Sequence, residues 1–145
     1  MPPVTPRYPG YPLRVLLPAV MALVTVACSG PEVAPGERIY LTGEGHDGRV
    51  AYRQGPRWLS RGQFGCAVCH GADGAGRFVQ AGQAAGAAPA ITARALAARG
   101  YDAAALSRAI RDGVAADGRE LSYYMPRWQL DAAEMQALLA HLDGL

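Results

Sequence analysis

Apolar and polar positions along the chain change their spacing several times, and each change marks an element. From Val15 to Ala27 the run "VLLPAVMALVTVA" is apolar without interruption. Its length of about thirteen residues falls short of the about twenty that a bilayer-spanning helix needs. From Gly36 the segment "GERIYL" opens a first helix, which Gly43 and Gly45 terminate. Thr92 is placed to cap "ARALAARG", ended by Gly100. Asp102 is placed to cap "AAALSRAIRDGV", where Leu106 and Ile110 share a face and Gly113 supplies the stop. Asp131 and Glu134 form an approximate capping box for a last helix, in which Met135, Leu138, Leu139 and Leu142 recur at helical spacing. Between Gly45 and Ser60 the Gly, Arg and aromatic residues predict a loop or small hairpin, with "RVAYR" as one strand, and "AGQAAGAA" before Pro89 reads as flexible. The expected fold class is all-α, three to five short helices with a small hairpin or loop insertion after the first.

The start of the chain stands apart from this pattern. Most of the eleven Pro lie in the first thirty-five residues, and Arg7 and Arg14 precede the apolar run with no acid beside them. Residues 1–27 therefore read as a signal peptide. The run ends in "VACSG", which resembles a bacterial lipoprotein signal, where a Cys after small residues receives lipid and becomes the new N-terminus. Thr25 stands where that pattern prefers Leu. Cys28 is the expected lipid attachment site, with simple cleavage near Ala27 as the alternative. Either places the mature protein outside the cytoplasm, on the periplasmic side and, if lipidated, anchored to a bacterial membrane. Residues 28–35 then form a short linker whose reach is at most about 25–30 Å, and residues 36–145 the folded domain.

Charge narrows the function classes. Half the residues are hydrophobic and 18% are charged, as in a single globular core. All fourteen basic residues are Arg; without Arg7 and Arg14, twelve Arg face twelve acidic residues. A formally neutral domain argues against nucleic acid as a partner. The acids are scattered and no Ser or free Cys has an evident activating base, so no catalytic residue for hydrolysis or group transfer is expected.

Candidate chemistry concentrates in "CAVCH", Cys66 to His70, which holds two of the three Cys and one of the three His. Three chemistries suit it. A zinc site needs about four ligands, and neither His46 nor His141 completes the set at finger-like spacing. A redox dithiol expects a preceding strand in a βαβ pattern, and the flanks "WLSRGQFG" and "GADGAGRF" show no β-branched or alternating run. Covalent haem attachment uses every residue. Cys66 and Cys69, one helical turn apart, match the spacing of two vinyl groups, and His70 directly after them can ligate the iron. A fixed macrocycle would also supply core that about a hundred residues lack, so the apoprotein is expected to fold poorly.

The iron's other face calls for a second ligand. Met1 and Met21 leave with the signal, and Met135 falls on the apolar face of the last helix. Met125 in "SYYMPRW" remains, where Pro126 stiffens the backbone and Tyr123, Tyr124 and Trp128 could keep water away. His70 and Met125 would give six-coordinate iron, a ligand pair that raises the potential relative to two imidazoles and leaves no open position for substrate. The alternative is a loop Met packed on its own aromatics.

Together "CAVCHGADGAG", "APAIT", "YYMPRW" and the closing helix resemble the small class I cytochrome c domain over roughly Gly36 to Leu145. The resemblance implies an all-α cytochrome c fold around one covalently bound haem c, and a one-electron carrier rather than an enzyme. It also implies that Pro89 offers its backbone carbonyl to the haem-ligating imidazole, although Pro89 can equally be punctuation before the next helix. Two features depart from the family: His141 stands where the final helix usually carries an aromatic, and the stretch from Thr42 to Gln63 is longer than the usual lead into the haem motif.

That longer lead carries Arg49, Arg53, Arg57 and Arg61 at every fourth residue, with no acid after Asp47. One reading has them neutralise haem propionates or steer an acidic redox partner; the other is a solvated loop. His46 reads as a surface residue. The expectation as a whole is a monohaem c-type cytochrome shuttling single electrons between membrane-associated redox partner proteins. Cys66 and Cys69 would bind the porphyrin, with His70 and Met125 on the iron. The alternatives are a haem subunit of a dedicated dehydrogenase or oxidase complex, or a peroxidase or gas sensor if Met125 does not ligate.

Overall fold

The computed structural model describes residues 32–81 and 84–145. The apolar run and Cys28 lie outside the described residues. The described residues form five α-helices, a 3-10 helix and two antiparallel strand pairs. Helix α1 (Pro35–Thr42) starts with Pro at its first position and ends on Gly43, whose left-handed backbone (φ 73°) lets its N–H reach the Ile39 carbonyl. Gly45 does not end a helix; it belongs to β1 (Glu44–Gly45), which pairs with β2 (Gly48–Arg49) as a two-residue hairpin.

The expected strand "RVAYR" is extended, but most of its pairing is with a distant segment. Arg53 N donates to Arg127 O at 2.9 Å, Arg127 N to Gln54 O at 2.8 Å and Gln129 N to Ala51 O at 2.8 Å, with Tyr52 and Trp128 bridged antiparallel. A 3-10 helix, Arg57–Arg61, follows, then the single turn α2 (Ala67–His70). Next comes a second hairpin, β3 (Arg77–Ala81) with β4 (Ala84–Ala88), pairing Arg77 with Ala88. Of the stretch expected to be flexible, Ala81 and Ala84–Ala88 thus belong to a strand pair while Gly82 and Gln83 lie outside the described residues, and the fold is mostly helical with small strands rather than purely α. No β-branched alternation announces this hairpin, because β4 is Ala and Gly alone and the Phe78 of β3 is exposed.

Helices α3 (Ala93–Ala98), α4 (Ala103–Asp112) and α5 (Ala132–Asp143) sit where the pattern placed them. Thr92 Oγ1 accepts from Ala95 N at 3.3 Å and Asp102 Oδ1 from Ala105 N at 2.7 Å. At α5 the capping box is complete: Glu134 N donates to Asp131 Oδ1 at 2.8 Å and Asp131 N to Glu134 Oε2 at 3.1 Å. The core joins α1, α4 and α5 through Ile39, Tyr40, Ile110, Met135, Leu138 and Leu142, with Trp128 and Leu130 from the segment between α4 and α5. Helices α1 and α5 approach closely because Gly36 has no side chain; a Cβ there would lie 2.0 Å from the Ala137 carbonyl oxygen. Among the described residues no helix is long and apolar enough to cross a membrane.

Candidate functional site

Cys66 N-caps α2, and the turn brings Cys69 N within 3.2 Å and His70 N within 3.0 Å of the Cys66 carbonyl. Two thiols and an imidazole therefore leave one helical turn together. The turn is seated on α1. A Cβ on Gly65 would come within 2.3 Å of the Tyr40 carbonyl oxygen, so only glycine lets the chain enter α2 flush against α1. At the other end of α2, Tyr40, fully buried, donates its hydroxyl to Gly71 O at 2.5 Å. Burial, then the nearby Cys66 and Asp73, push the Tyr40 hydroxyl up to about 12, so it stays protonated and keeps that bond.

Burial pushes the Cys66 thiol up to about 12 and raises Cys69 as well, with Arg77 drawing Cys69 back. These are apolar, protonated thiols rather than the acidic nucleophile of a redox dithiol. His70 is 7% exposed, and its Nδ1 lies 2.8 Å from the Pro89 carbonyl. That contact fixes Nδ1 as the N–H and leaves Nε2 the free ring nitrogen. Burial lowers the proton affinity of the ring, the Pro89 bond raises it and Arg99 lowers it again, so the net direction is down. A neutral imidazole is the form that ligates a metal. Pro89 thus does more than punctuate.

Cys66, Cys69 and His70 line a cavity of about 710 Å³, and Met125 lines the same cavity. A volume of that order is typical of cofactor sites, which span about 300–1,000 Å³. Met135, by contrast, is a core residue at 4% exposure and does not line it. Residues Val79 and Ala87 of the β3–β4 hairpin and Leu96 and Ile110 of the helices supply apolar wall. Trp58 reaches the cavity from the 3-10 helix, and its Nε1 is buried with no hydrogen-bond partner among the described residues. An unsatisfied buried N–H costs about 1–3 kcal/mol. An acceptor group inside the cavity would remove that cost. A macrocycle held by two thioethers, ligated at His70 and carrying carboxylates, fits both the donor set and this orphaned indole.

The aromatic segment around Met125 divides its work differently from the sequence expectation. Tyr124 and Trp128 line the cavity, but Tyr123 is 49% exposed and turns away to donate to Gly55 O at 2.6 Å. The four-residue Arg repeat does not line the cavity. Arg49 donates to the carbonyls of Leu59, at 3.2 Å, and of Gly62. Arg53 donates to Arg111 O at 3.1 Å and Asp112 Oδ1 at 3.2 Å, whereas Arg57 and Arg61 are exposed. The cavity's own cations are Arg99 and Arg119, which no spacing singled out.

His46 is half exposed yet engaged. Its Nδ1 lies 3.2 Å from Glu134 Oε1 and 3.5 Å from Asp131 Oδ2, and its Nε2 2.9 Å from Asp47. Three of the four oxygens of Asp131 and Glu134 already accept backbone N–H bonds, from Glu134, Asp131 and His46. The site also sits at the positive end of α5, which disfavours a cation. The trio is a clasp between the first hairpin and α5 rather than a metal centre.

The family model described as "Cytochrome C oxidase, cbb3-type, subunit III" matches residues 51–142, more than half of the chain and all of the cavity's candidate ligands. No curated protein and no solved structure matches the chain.

Proposed function

The chain belongs to the family described as cytochrome C oxidase, cbb3-type, subunit III, and from that premise we propose that it is a monohaem c-type cytochrome with His70 and Met125 as axial ligands. A cytochrome c domain of this family carries covalently bound haem c and serves as an electron-transfer module. When bound, the haem supplies one-electron redox chemistry. The residues around it would bind and tune it: Cys66 and Cys69 would hold the porphyrin through thioether bonds, and His70 would offer Nε2 from a ring oriented by Pro89. Met125 would supply a thioether to the same iron, a ligand pair with His70 that would favour the reduced state and leave no position for a substrate.

What supports this reading is a single arrangement: Cys66, Cys69, His70 and Met125 line one cavity, with the imidazole already held by a carbonyl. The proposal extends to location and partners. The protein works on the periplasmic side, anchored through a lipid on Cys28, and exchanges electrons with membrane-associated redox proteins. The family description favours a second form of the same reading, a haem subunit of an oxidase complex rather than a freely moving carrier.

Mass spectrometry of the exported protein tests attachment and lipidation together, with the expected result of one porphyrin on Cys66 and Cys69 and acylation at Cys28. Ferrous spectra with and without carbon monoxide test the ligand pair. Slow or negligible binding is expected. Rapid binding at full yield would replace the carrier with a sensor or peroxidase. Detergent extraction followed by native mass measurement separates carrier from subunit by whether the haem chain travels alone.

A further inference from the structure

Arg127 follows Met125 by two residues and is 3% exposed, a burial that charged residues almost never show unless paired. Its nearest carboxylate, Glu120, is 79% exposed and stands 3.7 Å away, too far and too solvated to offset the burial of a guanidinium. The charge is satisfied instead by main-chain carbonyls. Nη2 donates to Leu121 O at 2.8 Å, and Nη1 donates to Ser122 O at 3.2 Å and to Met125 O. One planar fork thus gathers the carbonyls at both ends of the loop 121–125, a task for which its fixed donor geometry suits Arg better than Lys.

The loop is tied from two further directions. Gly113 caps α4 with φ 70°, and a Cβ there would fall 1.8 Å from Arg127 Nε, so the guanidinium lies flat on a residue that must be glycine. Leu121 N donates to Gly113 O at 2.7 Å, which fastens the loop to the same helix end. The negative end of the α4 dipole faces the buried cation. Behind it, the main chain of Arg127 is paired on both sides, through Arg127 N to Gln54 O and Arg53 N to Arg127 O. The guanidinium therefore connects a rigid helix end and a paired segment to the one stretch of backbone that carries Met125.

We propose that Arg127 is a positioning residue for Met125, its guanidinium clamping the carbonyls of Leu121, Ser122 and Met125 so that the thioether is presented in its ligating conformation. The inference rests on the reading of Met125 as the distal ligand. With the clamp in place little order has to be gained when sulfur meets iron. Without it the loop samples other conformations, and each one populated weakens ligation by its share of the ensemble. An external ligand then competes for the iron more successfully.

The test uses the haem-loaded full chain and its variants Arg127→Met and Arg127→Lys. In the ferric parent the near-infrared thioether-to-iron charge-transfer band reports Met125 ligation, and imidazole titration reports how readily that bond is displaced. Arg127→Met is expected to keep its bound haem but to lose most of the band. It should also bind imidazole at least about tenfold more tightly, a change of about 1.4 kcal/mol in the Met125 bond. Arg127→Lys, which keeps the charge without the fork, should fall between. Should Arg127→Met fail to fold, Arg127→Lys carries the test alone. A folded variant whose band and imidazole affinity stay within about twofold of the parent overturns the positioning role. A parent that itself lacks the band overturns the Met125 reading, and the positioning role with it.

Discussion

His70 and Pro89, nineteen positions apart, are joined at 2.8 Å between ring nitrogen and carbonyl, and Gly76 lies against the peptide that makes the bond. A Cβ on Gly76 would approach Ala88 O to 2.7 Å and Pro89 C to 2.8 Å, and its φ of 79° already disfavours a side chain. Gly76→Ala should therefore push the Pro89 carbonyl off the ring. A looser bond makes the imidazole a poorer donor, which weakens the ferric state more than the ferrous one. The reduction potential should rise; a tenfold shift in that balance corresponds to about 59 mV for one electron. Spectroelectrochemical titration reads it, and a potential that falls or stays put would show that the carbonyl does not tune the ring.

The contact between α1 and α5 depends on Gly36. A Cβ at Gly36 would sit 2.0 Å from the Ala137 oxygen and 3.0 Å from His141 Cβ. Gly36→Val should separate the helices and destabilise the haem-loaded protein by about 1–3 kcal/mol, the usual cost of overpacking. Urea unfolding followed by far-ultraviolet dichroism measures it. A change below about 0.5 kcal/mol, the level of a surface substitution, would mean that the two helices can move apart freely.

Asp131 caps α5 and also faces His46, so its loss should matter more than that of an ordinary surface charge. Asp131→Ala should lower stability by about 1 kcal/mol, within the 0.5–2 kcal/mol range of lost caps. Arg53→Ala removes an ion pair whose members are 60% and 53% exposed and should cost no more than about 0.5 kcal/mol. Equal unfolding midpoints for the two variants would deny the capping box its role.

Removal of the haem provides the strongest contrast. A chain without it must keep about 710 Å³ open or collapse. Its largely apolar wall, Val79, Leu96 and Ile110 among it, would then face water or fall in on itself, and a domain with so small a core has little stability to lose. The double variant Cys66→Ser and Cys69→Ser, produced where haem cannot attach, should lack a cooperative unfolding transition. A sharp transition near that of the parent would show that the protein frame alone carries the fold.

Features encoded by neighbours in the chain were legible from the letters alone. The caps Thr92, Asp102 and Asp131, the stops at Gly43 and Gly113 and the paired thiols with His70 each need only a few adjacent residues, so spacing announces them. Pro89 was legible only through a family likeness, because nothing local says that its carbonyl meets a ring nineteen residues away. The β3–β4 hairpin was not, since β4 is Ala and Gly alone and the short β3, with Phe78 exposed, shows no alternating run.

Tertiary structure alone decided the rest. The regular repeat of Arg49, Arg53, Arg57 and Arg61 suggested one charged face, yet the chain turns between them and commits the first two to carbonyls and Asp112. Arg127 drew no notice in the sequence, being one basic residue among fourteen, and became the buried clamp of the Met125 loop. Trp58 likewise reached the cavity from an insertion that spacing could not place. Sequence determines contacts whose partners lie within a turn or two, because backbone geometry brings them together. Contacts across tens of residues exist only once burial of a shared core has selected which segments lie side by side.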